Sequence, residues 1–353
     1  MAGGFAELRS RIDVARSTGL PHAWRRLVYD IRYTGLEAGR RDAQAEALWR
    51  SAAAEVGACV TRIAPGVLLI RRGQRWTRVV REAVMLNDSV SVHLAANKPL
   101  VHRLLLEEGV RRPETVELTA RELESVPLDG ESAWVVKPAK SSGGKAVTAN
   151  VRRLDELRRA ALATARYGSR ILAERQAGGD VYRVLLLDGE ILDIVRMAAP
   201  RVTGDGAMTV GSLILAENER RLRAGLSLVP LAADLDCLLT LKTQGLNLRS
   251  IAPKGTIVKV RTVTNQNAPE DNETVREAPS PELCHEVKTA AAASGLRLAG
   301  VDLVAADLSR SLGRSGGVVL EINGVPGLHH HYRVKDPSQA TNVAVPILRR
   351  LLD

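Results

Sequence analysis

Two apolar stretches near the end of this 353-residue chain carry polar oxygens in places that must be buried. They limit the folds open to it. Gly300-Val301-Asp302-Leu303-Val304 is followed, across a Ser/Gly/Arg turn, by Val318-Val319-Leu320-Glu321-Ile322-Asn323-Gly324-Val325-Pro326-Gly327. A carboxylate inside an apolar strand is costly to desolvate unless a cation or a hydrogen-bond donor answers it. Glu321 and Asn323 fall on one strand face by the period of two. With Asp302 they offer three oxygen ligands, the donor type a hard cation takes. The Asn-Gly-Val-Pro-Gly run then turns sharply and leaves Asn323 at a strand end, which suits Mg²⁺ with a nucleotide. An ion pair on a hairpin with a plain Asn-Gly turn accounts for the same residues.

The chain is long enough for two or three packed units. Aromatic residues make up 3% and Phe5 is the single phenylalanine, so the core must be built from Leu, Val, Ile and Ala. That scarcity argues against a stacking platform for single-stranded nucleic acid. Cys59, Cys237 and Cys284 lie far apart without metal-type spacing, which excludes a zinc finger and a disulfide framework and fits a reducing cytoplasm. The opening residues Met1 to Arg9 contain no apolar core of a signal peptide, and no long apolar run occurs, so a soluble cytoplasmic protein is expected. The net charge is +10, but the basic residues are dispersed, and an anionic small substrate explains them as well as nucleic acid does. Of the fifty basic residues nine are lysines, and six of these (Lys98, Lys137, Lys140, Lys145, Lys254 and Lys259) fall in motif-bearing segments.

Mixed helical and strand patterns with several hairpins indicate an α+β fold rather than one doubly wound sheet. A helix is expected over 36–56, where Ala45, Leu48, Trp49 and Ala52 recur at helical spacing, followed by short strands at 58–63, 67–71 and 76–80. Asn97 caps a helix that runs through Leu106 and ends at Gly109. Strands are expected from Ala133, over 170–174, in a hairpin over 181–195 around Asp188-Gly189, and over 256–263, 297–305 and 318–322. Helices are expected over 154–165, 209–219, 281–293 and 340–352.

Trp134-Val135-Val136-Lys137-Pro138 ends an apolar strand in a lysine, and Ser141-Ser142-Gly143-Gly144-Lys145 follows as a flexible loop. Its backbone N–H groups and lysines can wrap polyphosphate, although Ser-Gly-Gly is also an ordinary surface turn. Ile171-Leu-Ala-Glu174-Arg175-Gln176-Ala177 ends a second strand in a carboxylate, with Asp180 and Arg183 beyond. A carboxylate there can accept from an adenine amine or from ribose hydroxyls, or simply face water.

In this order the motifs resemble the ATP-grasp superfamily, over about residues 85–353. The first lysine is Lys98. The second is Lys137, before the Gly-rich loop. Glu174 and Asp180 mark the adenine and ribose segment, and Asp302, Glu321 and Asn323 are the metal ligands. Within the superfamily the chain resembles in particular the ATP-grasp part of cyanophycin synthetases, through Val202-Thr203-Gly204-Asp205-Gly206, Pro253-Lys254-Gly255, Arg261, Asn265 and Pro326-Gly327-Leu328 with His331.

The resemblance implies an ATP-grasp fold of two α+β subdomains gripping ATP, at 94–175 and 176–353, preceded by a smaller N-terminal α/β domain at 1–93. It implies an ATP-dependent carboxylate–amine ligase that forms an amide or peptide bond through an acyl phosphate and releases ADP and phosphate. ATP would contact Lys98, Lys137, Ser141, Ser142, Gly143, Gly144, Lys145, Glu174, Arg175, Ala177 and Asp180. Mg²⁺, as two ions and with Mn²⁺ as an alternative, would sit on Asp302, Glu321 and Asn323. Arg183, Arg196 and Arg261 would offset charge on the transferring phosphoryl group. Asn265 and His331 would touch substrate. Small carboxylates and amines are the expected partners, a homodimer the expected assembly, and nucleic acid and membrane are not expected. The loop at 141–144 and the segment 200–210 are candidate lids.

Three departures limit the resemblance. The Mur-ligase-like half is missing from the sequence, so synthesis of the two-amino-acid polymer is not expected. The family has a His where this chain has Gly143, and a Ser-Thr-Gly-Gly stretch where it has Gln266-Asn267-Ala268-Pro269. His329-His330-His331 does not form a metal site by its spacing, because consecutive loop histidines do not point together. A nucleotide-binding module without catalysis is the alternative function class.

Overall fold

The computed structural model describes residues 39–140, 143–224 and 230–353, apart from the side chains of Arg166 and Asn265. Helix α1 covers 39–55. Strands β1 (Cys59–Ala64), β2 (Val67–Arg72), β3 (Arg75–Val80) and β4 (Ala83–Val84) follow, then helices α2 (Ser89–Ala95) and α3 (Lys98–Glu107). Next come β5 (Thr115–Leu118), β6 (Trp134–Pro138), β7 (Thr148–Val151), α4 (Leu154–Thr164) and β8 (Ile171–Arg175). The hairpin of β9 (Asp180–Leu187) and β10 (Glu190–Met197) leads to β11 (Arg201–Thr203), α5 (Val210–Arg223), α6 (Leu235–Thr243) and β12 (Ile257–Lys259). The chain closes with β13 (Asn272–Thr274), α7 (Pro281–Ala293), β14 (Leu298–Ala305), α8 (Leu312–Ser315), β15 (Val318–Asn323), α9 (His329–Tyr332) and α10 (Ala344–Leu352).

The caps explain many of these boundaries. Asn97 Oδ1 accepts from the Leu100 N–H at 3.4 Å, and the α3 exit is closed by Gly109 at φ +70°, with the Val110 N–H donating to Leu105 O at 2.8 Å. Asp88, Thr209, Asp234 and Ser280 cap α2, α5, α6 and α7 in the same way.

Contacts divide the chain into two compact units, neither continuous in sequence, unlike the three successive stretches 1–93, 94–175 and 176–353 expected from the motifs. One unit draws on Pro113–Gln176 and Ala199–Ala268. It holds the antiparallel sheet β5-β8-β6-β7, whose core with α4 includes Trp134, Val136, Leu157 and Ala173. It also holds the β11-β12 pair, packed with α5 and α6 through Val202, Ile214, Leu241 and Val258.

The other unit draws on 39–112, Ala177–Ala198 and Pro269–Asp353. At its centre is an antiparallel sheet of order β13-β10-β9-β14-β15. The period of two sorts its side chains. Tyr182, Val184 and Leu186 of β9 and Ala299, Val301 and Leu303 of β14 join the core with α3 and α7. Leu185, Leu187 and Leu298 face the other way, onto a core shared with α1, α10 and the β1-β2-β3-β4 sheet. Arg183, Gly300 and Asp302 alternate onto that second face, next to its apolar end. Among the described residues no helix is long and apolar enough to cross a membrane.

Candidate active site

The polar groups of the five-stranded sheet meet through strand register. Asp302 on β14 lies directly across from Arg183 on β9 and from Glu321 on β15, and Gly300 lies across from Asn323. One face therefore carries a row Arg183–Asp302–Glu321, with Asn323 one step along. Arg183 donates from Nε to Asp302 Oδ1 and from Nη2 to Oδ2 at 2.7 Å, and both residues are under a tenth exposed. Asn323 Nδ2 reaches Asp302 Oδ2 at 3.2 Å and Glu321 Oε1 at 3.3 Å. Lys98, at the start of α3, places Nζ 3.5 Å from Glu321 Oε2. Gly300 has no side chain for a spatial reason: a Cβ there would come within 2.8 Å of Pro326 Cβ and 3.3 Å of Arg183 Cδ.

The electrostatics follow from this row. Burial, opposed by Arg183 and reinforced by the Glu321 charge, pushes Asp302 up to about 6. Burial works against the Arg183 guanidinium, but Asp302, Glu321 and Glu82 outweigh it and raise its pKa. Among the described residues no group of three or more His, Cys, Asp or Glu side chains is arranged to hold a metal. The candidate set is thus two carboxylates and one amide on one sheet face, the amide turning its Nδ2 to both carboxylates and keeping its oxygen for another partner. These residues fit Mg²⁺: a dication would offset the burial that raises Asp302 and the Glu321 charge that adds to it, and carboxylate and amide oxygens are the donors it takes.

The unit built on Pro113–Gln176 and Ala199–Ala268 holds the other expected residues. Lys137 on β6 and Glu174 on β8 are adjacent in the sheet and pair at 2.7 Å, Lys137 6% exposed and Glu174 2%. Glu174 is therefore an interior partner of the lysine and does not face water at a strand end. Gly143 and Gly144 have φ of +68° and +64°, a left-handed turn that glycine adopts freely, and Lys145 is exposed. Ser141 and Ser142 lie outside the described residues, as does the side chain of Asn265. Arg175 points away from Glu174, to Glu114 Oε2 at 3.2 Å and Ser132 Oγ at 2.6 Å.

Arg261 is 1% exposed and is held by two carboxylates that the sequence reading missed. Its Nη1 donates to Asp234 Oδ2 at 2.6 Å, and its Nε lies 3.2 Å from Asp236 Oδ2. Asp236 also accepts from the Ala149, Thr262 and Val263 N–H groups. Asp234 signals itself as an N-cap before the apolar run Leu235-Asp-Cys-Leu-Leu; nothing in the sequence announces Asp236. Of the residues that carry the family resemblance, Val202 and Thr203 lie in β11 where it pairs with β12, and Gly204 beyond it is bonded to the segment that leads into β12, its N–H donating to Thr256 O and its carbonyl accepting from Gly255 N–H, both at 2.8 Å. There Gly204 approaches Pro253 so closely that a Cβ would meet its carbonyl oxygen at 2.4 Å.

Four expected residues of the five-stranded unit, Ala177, Asp180, Arg196 and His331, are placed differently from the Arg183 row. Ala177 is half-buried at the entry to β9. Asp180 is exposed and accepts from Arg196 Nη1 at 3.2 Å, and Arg196 also pairs with Glu273. His331 is fully buried, not open to a substrate: its Nδ1 lies 2.6 Å from Asp193 Oδ2, while Thr341 Oγ1 donates to Asp193 Oδ1 at 2.9 Å. Burial lowers its pKa despite Asp193, so the ring is neutral. Also missed by the sequence reading is Glu82, whose Oε1 accepts from both the backbone N–H and the ring Nδ1 of His329, at 2.9 and 2.7 Å.

No protein-family model matches the chain. Over 271 residues it is 30% identical to cyanophycin synthetase of Synechocystis sp., covering 74% of this chain and 31% of that protein. It is 26% identical over 276 residues to the glutathione biosynthesis bifunctional protein of Mannheimia succiniciproducens, covering 75% of this chain and 36% of the relative. The chain thus spans about a third of the length of these relatives. The bifunctional glutathione synthetase from Pasteurella multocida superimposes with a TM-score of 0.52 at 21% identity, over 83% of this chain and 41% of that one, which is a likeness of fold. By its relatives and its α+β architecture, the chain belongs to the ATP-grasp superfamily.

Proposed function

We propose that this chain is an ATP-dependent carboxylate–amine ligase, joining an amino acid or small peptide to an amine through an acyl phosphate and releasing ADP and phosphate. The observation that carries the reading is the Arg183–Asp302–Glu321 row with Asn323 and Lys98. It concentrates two carboxylates, an amide and two cations at one sheet face, where a polyphosphate and its metal can be held and a developing phosphoryl charge offset. Asp302, Glu321 and Asn323 would hold Mg²⁺, expected as two ions, and the metal supplies neutralisation of phosphate charge when bound. Lys98 and Arg183 supply fixed positive charge at the same face. Lys137, kept in place by Glu174, and the left-handed turn at Gly143–Gly144 are assigned to ATP. Arg261, oriented by Asp234 and Asp236, is assigned a supporting role in charge balance.

The relatives that support this reading are named for the synthesis of cyanophycin and of glutathione, and the substrates of this chain are left to a screen. Phosphate release should be followed with ATP, Mg²⁺ and a matrix of amino acids as carboxylate and amine donors. The expected result is ADP and phosphate formed only with a matched pair, and lost in Glu321→Gln. Formation of AMP, or ATP turnover that no carboxylate stimulates, would contradict the assignment.

A further inference from the structure

Beyond the oxygen-ligand row, the turn after β15 carries a second cluster. Pro326 abuts Gly300 beside Arg183, so the residues that follow are delivered to the neighbourhood of the Arg183 row. The turn is held firmly. Leu328 is fully buried, His331 is tied to Asp193, and Tyr332 Oη donates to Asn342 Oδ1 at 2.6 Å. Over Gly327 the rings of His329 and His330 lie with centroids 4.1 Å apart; a Cβ at 327 would meet them at 2.9 and 3.1 Å.

Two features of this cluster have no structural use in the chain itself. Glu82 spends one oxygen, Oε1, on both N–H groups of His329, while Oε2 has no partner among the described residues. The half-buried ring of His330 makes no hydrogen bond to any described residue. Burial, together with the charges of His329, Arg183 and Arg333, holds His330 well below the usual imidazole range, so it is a neutral base at pH 7. Burial works against the Glu82 carboxylate, but the charge of His329, its two N–H groups and the charge of Arg183 outweigh it and lower the Glu82 pKa. An anion with one open oxygen, tied to a histidine whose ring lies against a neutral imidazole with open nitrogens, is a constellation that receives an ammonium group and can take a proton from it.

We propose that Glu82 and His330 form the acceptor-amine subsite of the ligase, Glu82 Oε2 anchoring the substrate ammonium and His330 accepting its proton. This rests on the ligase reading above. As the amine attacks, one N–H proton passes to His330 and the nitrogen lone pair forms the C–N bond to the acyl carbon. The C–O bond to phosphate breaks with its electron pair left on the phosphate oxygen, which takes the second proton from nitrogen. The products are the amide, hydrogen phosphate and a protonated His330. His329 is a positioning residue, fixing the Glu82 carboxylate in place.

The test compares two acceptors in the same assay: the cognate amine found by the phosphate-release screen, and hydroxylamine, a small nucleophile that attacks uncharged. The variants are Glu82→Gln and His330→Asn, with thermal melts to check folding. The expected result is that the ratio of amine-dependent to hydroxylamine-dependent turnover falls at least tenfold in both. For Glu82→Gln the loss should appear as a raised KM for the amine, and for His330→Asn as a lowered kcat. A ratio unchanged from wild type, with both turnovers falling together, would overturn the subsite and leave Glu82–His329 as a structural tie. Absence of ATP-dependent hydroxamate in the wild type would instead remove the ligase reading on which the subsite rests.

Discussion

Replacing Arg183 by Met tests whether the row at the sheet face is a coupled unit. The substitution keeps much of the aliphatic stem and deletes the cation, leaving Asp302 buried without its two N–H donors. Removing one partner of a buried, doubly hydrogen-bonded ion pair costs about 3–5 kcal/mol. The structure supports the full range, since Arg183 is 8% and Asp302 7% exposed and burial already pushes the carboxyl up to about 6 with the guanidinium present. Asp302→Asn alone strands the cation instead and should lose a similar amount. The double variant leaves neither charge, so its loss should fall short of the sum of the singles by about 2 kcal/mol or more. Urea unfolding followed by tryptophan fluorescence, with slopes compared across the four proteins, measures this. Losses that add to within about 0.5 kcal/mol would refute the coupling and with it the view that register assembles this face.

Three further outcomes follow from the geometry. Gly300→Ala should lose about 1–3 kcal/mol by overpacking, because the new methyl meets Pro326 at 2.8 Å, and phosphate release should fall with it as Pro326 and Arg183 are pushed aside. Lys137→Met should lower the unfolding free energy by about 3–5 kcal/mol by removing the cation that pairs with the buried Glu174, and Glu174→Gln in the same chain should recover part of it. Asp188, held down to about 2 by Arg297 and Arg350, contributes stability that is present above its unfolded pKa and is lost as pH falls from about 4 to 2. With partial exposure this is worth about 1 kcal/mol, so the melting temperatures of wild type and Asp188→Asn should differ at pH 7 and converge near the acid end.

What the sequence disclosed follows from the range of the interactions involved. Glu321 and Asn323 share a face because they stand two positions apart on one strand, and Asn97 caps a helix that starts at the next position; both are local and legible. That Asp302 meets Arg183 depends on pairing β14 with β9, 119 residues apart in sequence, and no local pattern encodes that register. The same distance hid Asp193 behind His331 and Glu82 behind His329, 138 and 247 residues away. The strand expected over 256–263 shrinks to Ile257–Lys259, because the Thr262 and Val263 N–H groups bond the Asp236 carboxylate in place of a neighbouring strand. Likewise α10 starts at Ala344 and not at 340, since Thr341 and Asn342 use their side chains on Asp193 and Tyr332. Helix α6 went unread because its Leu-rich run is too short to separate helix from strand by periodicity.

Oxygen tracing decides whether a carboxylate is activated by phosphoryl transfer. The matched carboxylate is labelled with ¹⁸O and incubated with the protein, ATP, Mg²⁺ and the amine, and the released phosphate is analysed by mass. An acyl phosphate would yield phosphate carrying one labelled oxygen from the carboxylate, alongside ADP and an amide that retains the other. Unlabelled phosphate, or label recovered in AMP, would contradict it.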